Sequence, residues 1–300
     1  MFLDQTFVSY QDLFQQIPQD FSYRYLYYSY PAVCVHDVLL CLCDTTKSRI
    51  SLWNPATREF KLLPDCNENI PPKADTLIHT IGFGSDNFLN DYKVIYNRVY
   101  VDLETNIPGP THFAVYRMST DSWRVLKGED LDLIEDLYLH DNINNTCVNG
   151  VYYWVVSKSI PHYKVLAFDL RDEVFQLIEW PETESFGDLL PLHGDRISLW
   201  VSHFDVTGTS NDIWVLNEER QYWTKLLRIG PILGIERMFG FWNKNCNKVY
   251  VESASGQLLL YDLDTQEFRD IGIKTRRALD LLQVYTYEES LIATNRNKIE

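Results

Sequence analysis

Several things are missing from this chain of 300 residues. No apolar run approaches the roughly 20 residues a membrane-spanning helix needs, so no membrane partner is expected. The opening stretch MFLDQTFVSYQDLF holds no lysine or arginine and no apolar block, which excludes a secretory leader of the usual pattern. Six cysteines are present (Cys34, Cys41, Cys43, Cys66, Cys147 and Cys246), and none forms a C-x-x-C pair. Several stand in apolar runs such as VLLCLC, where a thiol packs as a small hydrophobe. That pattern predicts buried thiols in a reducing compartment rather than a disulfide framework. A soluble protein of the cytoplasm, with the nucleus as a second location, is the expectation, and the sequon at Asn144 would then stay idle.

Positive charge is also scarce. Lysine and arginine number 27 against 42 aspartates and glutamates, for a net charge of −15. Such a chain repels phosphate backbones, which counts against nucleic-acid binding. Two readings of the acidity stand: a solvated surface, or a field that steers a basic partner.

The usual carriers of catalysis are absent too. The histidines follow no H-E-x-x-H spacing and no paired Cys/His spacing, so no metal site is expected. There is no G-x-S-x-G turn. GFGSDN (82–87) has two glycines but neither a third nor a following helix, so it is not a dinucleotide loop. DCNEN (65–69) opens like a calcium loop, but Ile70 and Thr76 stand where Gly and Glu are required. His203 and Asp205 fall on one strand face and read as a strand-end surface pair. No catalytic residue, metal or cofactor is expected.

Aromatic residues are plentiful at 14%, with 19 tyrosines, and this favours strands. They recur in a pattern: SLWNPATREFKLL (51–63), AVYRMSTDSWRVL (114–126), LAFDLRDEVFQLI (166–178), DIWVLNEERQYWTKLL (212–227) and LLYDLDTQEFRDI (259–271). Each reads as strand, polar turn and strand. The first aromatics are Trp53, Tyr116, Phe168, Trp214 and Tyr261. Phe60, Trp123, Phe175 and Phe268 follow at seven residues, and Trp223 follows at nine, as if that turn were two residues longer. The copies lie 46 to 63 residues apart, near the roughly 40–50 of a propeller blade.

Each copy has a strand-like segment upstream, such as DVLLCLCD (37–44) or VNGVYYWVVS (148–157). The fold class predicted is an all-β, kelch-like β-propeller of about six blades, each of four short antiparallel strands. Five blades are explicit. The sixth would be closed by pairing of N- and C-terminal segments, 21–30 with 281–293. Helical spacing is confined to 4–17, with 275–284 as a short turn of helix or a loop. The domain plan is an N-terminal segment over 1–36, holding that helix and one strand, and a propeller over 37–293. The repeated aromatics are expected to pack between blades, with Arg58, Arg124 and Arg269 beside them in structural roles.

LWNPATREFKLLP closely resembles the hallmark of the plant F-box-associated domain, a kelch-like propeller. IGFGSDNFLNDYKVI (81–95), VNGVYYWVV (148–156), VLAFDLRDEVFQLIEWP (165–181) and SNDIWVLNEERQYWTKLLRIGPILGIERMFGFW (210–242) resemble its further segments, in order. LLRIGPILGIERMFGFW is similar to the S-locus and S-haplotype-specific F-box group. The resemblance implies the substrate-recognition subunit of a Skp–cullin–F-box ubiquitin ligase. Its partner would be a target protein, a basic pistil ribonuclease in the S-locus group. Residues 1–36 do not resemble the F-box that grips the Skp adaptor, so Skp and cullin are expected as partners only if an F-box lies upstream.

Recognition is expected in the loops: 65–78, 102–112, 127–146, 181–193 and 228–238. The segment KGEDLDLIEDLYLHDNINNT (127–146) interleaves Glu129, Asp130, Asp132, Glu135 and Asp136 with leucines. It reads either as a dock for a basic protein or as a solvated inter-blade loop. Two rival functions stand beside the binding module: a carbohydrate-active propeller enzyme with carboxylates around its channel, and a truncated paralogue without ligase function.

Overall fold

The computed structural model describes residues 32–36, 38–44, 49–66, 74–86, 91–102, 108–127, 131–134, 137–140, 145–183, 185–192, 195–219, 221–242, 245–274 and 284. Among these there is no α-helix. The helix expected over 4–17 and the composite blade from 21–30 and 281–293 lie outside them, Val284 excepted.

The chain builds five antiparallel sheets in sequence order. The first holds β1 (Ala32–His36), β2 (Leu39–Asp44), β3 (Arg49–Asn54) and β4 (Glu59–Leu62). The second holds β5 (Ala74–Asp86), β6 (Asp91–Asp102), β7 (Pro108–Arg117) and β8 (Ser122–Val125). The third runs β10 (Thr146–Val148), β11 (Val151–Ser159), β12 (His162–Asp169) and β13 (Val174–Glu179), with the short β9 (Tyr138–Leu139) beside β11. The fourth holds β14 (Gly187–Leu192), β15 (Arg196–Asp205), β16 (Gly208–Asn217) and β17 (Tyr222–Ile232). The fifth holds β18 (Ile235–Phe241), β19 (Lys248–Ser253), β20 (Gln257–Asp262) and β21 (Phe268–Lys274).

Within each sheet the strands pair in chain order. The first strands β1, β5, β10, β14 and β18 lie against one another in succession and form the inner edge of the sheets. The fourth strands are therefore outermost. This is the β-propeller predicted from the repeat.

Alternation along each strand feeds two cores. In β6, Val94 and Tyr96 pack toward the first sheet while Ile95 packs toward the third. Every core between described sheets is thus shared. One takes Leu39, Cys41 and Leu52 from the first sheet with Phe83, Tyr96 and Tyr116 from the second. The next joins Ile95 and Phe113 to Trp154 and Phe168. A third joins Val155 and Val165 to Leu199 and Leu216, and a fourth joins Trp200 and Ile213 to Met238 and Val251. The outer face of the fifth sheet buries Phe239, Tyr250, Leu258 and Leu260 with Val284 packed on them.

The two glycines of GFG are explained by this packing. A Cβ on Gly82 would meet Trp154 and Ile95 at 2.8 Å, and one on Gly84 would meet Leu170 Cδ1 at 2.7 Å. The second sheet therefore approaches the third along a side-chain-free strip, with Phe83 pointing the other way.

The repeated box is a hairpin of one design. Trp53 pairs with Phe60, Tyr116 with Trp123, Phe168 with Phe175 and Tyr261 with Phe268. The turn between holds four residues, and its last has positive φ in all five copies: Arg58, Asp121, Glu173, Gln221 and Gln266. An Asx side chain opens three of the turns. Asn54 Oδ1 accepts from the Ala56 amide at 2.9 Å, Asp169 Oδ1 from Arg171 at 2.7 Å and Asp262 Oδ1 from Asp264 at 3.0 Å. Asn149 and Gly150, both at positive φ, form the two-residue turn joining Val148 to Val151.

The fourth copy corrects the sequence alignment. Leu216, not Trp214, pairs with Trp223, and the turn 218–221 is no longer than the others. A bulge between Ile213 and Trp214 accompanies the shift, and Trp214 pairs with Lys225. Trp214 stands two residues before the repeat position, so aromatic identity there misreports the register.

Candidate functional site

Antiparallel order within each sheet gives the propeller two rims. The β3–β4, β7–β8, β12–β13, β16–β17 and β20–β21 turns emerge at one, here the turn rim. The connections between sheets emerge at the other, the link rim, together with the β2–β3, β6–β7, β11–β12, β15–β16 and β19–β20 turns. The described parts of the five loops expected to carry recognition lie at or next to the link rim, except that 181–193 takes in all of β14 and so runs through to the turn rim.

Exposed apolar side chains gather there. Ile160 is 74% exposed, Phe204 69%, Val206 98% and Leu233 77%, all at or beside turns or links of that rim. Leu133 and Tyr138 add to them from the link between the second and third sheets. The remaining large exposed hydrophobics lie in the outer strands β4, β13, β17 and β21.

Of the five acidic residues expected to bind a partner, Asp132 alone is described, and it is exposed. Glu129, Asp130, Glu135 and Asp136 lie outside the described residues. The leucines between them have another job. Leu131, Ile134, Leu137 and Leu139 pack into the core of the second and third sheets. The Ile134 amide donates to Leu131 O at 2.9 Å, and the Leu137 amide donates to Ile134 O at 3.1 Å. The segment is pinned by its apolar members and turns Asp132 outward.

The repeat aromatics lie within the sheets. Trp53, Tyr116 and Phe168 are buried, Phe175 nearly so, and Phe60, Trp123, Trp214, Trp223 and Tyr261 are half-buried. Phe268 is 47% exposed. Tyr116–Trp123, Phe168–Phe175 and Tyr261–Phe268 are ring pairs with centroids 4.8 to 5.2 Å apart. Two indoles also tie neighbouring sheets together. Trp123 Nε1 donates to Pro64 O at 2.6 Å, and Trp223 Nε1 donates to Glu179 O at 2.8 Å. Glu179 ends the outer strand of the preceding sheet, and Pro64 lies two residues past the end of β4.

On the turn rim, Lys93 and Glu173 meet between the second and third sheets. Lys93 Nζ donates to Glu173 Oε1 at 3.0 Å and also to Leu170 O. Arg117 Nε donates to Oε1 at 2.7 Å and Arg124 Nε to Oε2 at 2.8 Å. Asp86 lies 3.9 Å from Lys93 Nζ. Burial alone would raise the Glu173 carboxyl, but the bonds from Arg124, Lys93 and Arg117 outweigh it and hold the group below the usual carboxylate range. The knot fastens two sheets, with Lys93 and Glu173 buried and Arg117 and Arg124 partly exposed around them. Arg124, read from the sequence as structural, takes part in it.

His203 and Asp205 stand at the end of β15, and His203 Nε2 lies 3.1 Å from Asp212 Oδ2 on the neighbouring strand. Asp205 instead accepts from the Thr207 amide at 2.7 Å and caps the β15–β16 turn. Lys225 and Arg228 close on the same Asp212 carboxylate at 2.8 and 3.1 Å. This is an ion cluster in which three basic side chains surround one largely buried carboxylate.

Sequence reasoning missed one grouping. Tyr138, His140, Tyr163, Trp180 and Phe186 form a ring cluster on the link rim, between the third and fourth sheets. His140 lies 5.0 Å from Tyr138, 5.8 Å from Tyr163 and 5.7 Å from Phe186. Tyr163 lies 5.5 Å from Trp180 and 5.1 Å from Phe186. His140 Nε2 is 2.9 Å from Ser157 Oγ, and the His140 amide donates to Val155 O at 3.0 Å, which fixes the ring to β11. Three separate stretches supply these rings, so no short motif marks them.

Among the described residues no group of three or more histidine, cysteine or acidic side chains is arranged to hold a metal ion. Nor is any helix among them long and apolar enough to cross a membrane. Cys41 and Cys43 are buried, and Cys66, Cys147 and Cys246 are half-buried.

Comparison with known proteins places the chain. It is 25% identical over 248 residues to an F-box/kelch-repeat protein of Arabidopsis thaliana, covering 81% of this chain and 63% of that protein. It is 26% identical over 207 residues to an F-box protein of the same plant, covering 67% of this chain and 51% of the relative. The chain thus spans about half to two thirds of the length of these relatives. Among solved structures it is similar to an oligogalacturonate lyase in complex with manganese, at 7% identity and a TM-score of 0.48, over 78% of this chain and 61% of the other. The model of the F-box associated beta propeller domain matches residues 15–293. On that match, which takes in nearly the whole chain, the protein belongs to the F-box associated β-propeller domain family.

Proposed function

We propose that this propeller is a non-catalytic target-recognition module, and that its link rim is the face that receives the target protein. The observation that carries this reading is the gathering of Ile160, Phe204, Val206 and Leu233 at one rim. Exposed apolar side chains concentrated on one face suit a protein contact surface. The relatives, named as F-box proteins, support a receptor role in a Skp–cullin–F-box ubiquitin ligase. In that role the propeller holds the target and an F-box elsewhere holds the Skp adaptor. The likeness of 226–242 to the S-locus group makes a basic pistil ribonuclease the first target to test, and the net charge of −15 suits a basic protein.

The test is capture from plant extract with the wild-type chain, a link-rim variant (Ile160→Asp with Val206→Asp) and a turn-rim control (Asp172→Lys). A defined protein retained by the wild type and the control but lost with the link-rim variant is the expected result. Equal retention by all three would overturn the assignment of the face.

A further inference from the structure

The link rim is richest in ring faces between the third and fourth sheets. Resting on the target-binding reading, we propose that the cluster of Tyr138, His140, Tyr163, Trp180 and Phe186 is the seat of a cationic segment of the docked protein, with an arginine side chain at its centre.

The cluster is graded in burial. His140, Tyr163, Trp180 and Phe186 are half-buried, Tyr138 is 52% exposed, and Ile160 stands out at the tip of the β11–β12 hairpin beside Tyr163. A floor of packed rings therefore meets solvent through an exposed phenol edge and an aliphatic tip. Ring faces carry negative potential, and a guanidinium stacks on them with little loss of hydration.

Charge points the same way. The link 127–146, which delivers Tyr138 and His140, carries six carboxylates and one lysine. The link 180–188, which delivers Trp180 and Phe186, carries three carboxylates, of which Asp188 is paired with Arg237 of the fifth sheet, and no lysine or arginine. Asp132 and Glu182 are exposed. The hairpin between the links adds Lys158 as a counter-charge, and Glu179 is already paired with Lys164. An excess of negative charge on both flanks favours a cation over the rings and opposes an anion.

A sugar fits less well. Tyr138 meets His140 at 86°, Phe186 meets Tyr163 at 69° and His140 meets Tyr163 at 60°, so the rings form no coplanar platform for a flat saccharide, whereas a guanidinium needs one ring, and Tyr138 is 52% exposed.

The test is titration of the whole chain with a labelled peptide of alternating glycine and arginine, followed by anisotropy, with a glutamate counterpart and a neutral oligosaccharide as rival probes. Tyr138→Ala and Glu182→Lys are exposed changes, and thermal melting checks that each variant is folded. The arginine peptide should bind, weaken with added salt, and lose about three- to thirtyfold in affinity in each variant, the range of one cation–π or charge contact. Asp172→Lys, on the opposite rim, should leave its affinity unchanged. No binding of the arginine peptide, equal binding of the glutamate peptide, indifference to both variants, or binding of the oligosaccharide alone would each overturn the proposal. So would self-association of the chain that is lost in Tyr138→Ala. The two readings fail separately. If Ile160→Asp with Val206→Asp abolishes target capture while Tyr138→Ala leaves arginine-peptide binding intact, only the seat falls. If capture survives those changes while peptide binding depends on Tyr138, only the assignment of the target face falls.

Discussion

Lys93 Nζ sits 3.0 Å from Glu173 Oε1, and both side chains are almost wholly buried. One comes from the DYKVI stretch of the second sheet and the other from the FDLRDEVF turn of the third, eighty residues apart. Neither charge would survive burial alone, because removing one partner strands the other in a medium that solvates it poorly. The two partly exposed arginines complete the arrangement from the outside.

Glu173→Gln should destabilise the fold by about 3 kcal/mol, the scale of an orphaned buried charge. Lys93→Met should cost less, because Arg117 and Arg124 still satisfy the carboxylate. Denaturant unfolding of the two single variants and the double variant measures the coupling. Additive losses would show that the two side chains act independently.

The same carboxylate sets a pH dependence. Its folded pKa lies below the unfolded one, so its contribution is fully present above the ordinary glutamate range, near pH 4.3. It is lost as pH falls through that range and down past the depressed folded value. Melting temperatures of the wild type should therefore drop more steeply on acidification than those of Glu173→Gln. Parallel curves would contradict this account.

Gln221 and Gln266 hold left-handed backbone at φ 55° and 60° without a glycine's freedom. Replacing Gln266 with Gly should raise stability by up to about 1 kcal/mol, since the steric penalty of the left-handed conformation exceeds the added chain entropy, and Gln221→Gly should gain less because Gln221 Nε2 donates to Glu218 O at 2.6 Å. Asp121 is different. Its carboxylate accepts from Tyr116 Oη at 2.6 Å and pairs with Lys61 at 2.9 Å. Asp121→Gly should be neutral or destabilising, and chemical denaturation of the three variants checks the contrast.

Gly84→Ala should destabilise by about 1–3 kcal/mol, the range for overpacking a filled core. The new methyl would collide with Cys147 and Leu170 across the seam. Cys147→Ala in the same chain should return part of the loss. If the double variant shows no recovery, the close approach of the two sheets is not the cause.

Much of the architecture could be read before any coordinates, because the signals were local. The hairpin box shows itself through Asn54, Asp169 and Asp262, whose side chains reverse the chain within three residues. The strands show themselves through alternation. What was illegible is non-local. Trp214 looked like a repeat member because aromatic character was standing in for register, and only the pairing of Leu216 with Trp223 reveals the slip. His203 chose Asp212 over the nearer Asp205 because the partner strand brought it closer. The ring cluster on the link rim draws Tyr163 from a strand and Trp180 and Phe186 from a link. Sequence spacing cannot bring these together.

The shared cores determine how such a chain can change length. The second, third and fourth sheets do not own the apolar surface beneath them; each contributes one half to a seam on either side. Deleting a single sheet would press two half-seams together that were never shaped for each other, while lengthening a loop disturbs neither. Growth or loss in the ring is therefore stepwise, by whole seam-to-seam units, and the rims are where sequence is free to drift. A chain built this way can change what it touches while the ring beneath stays the same.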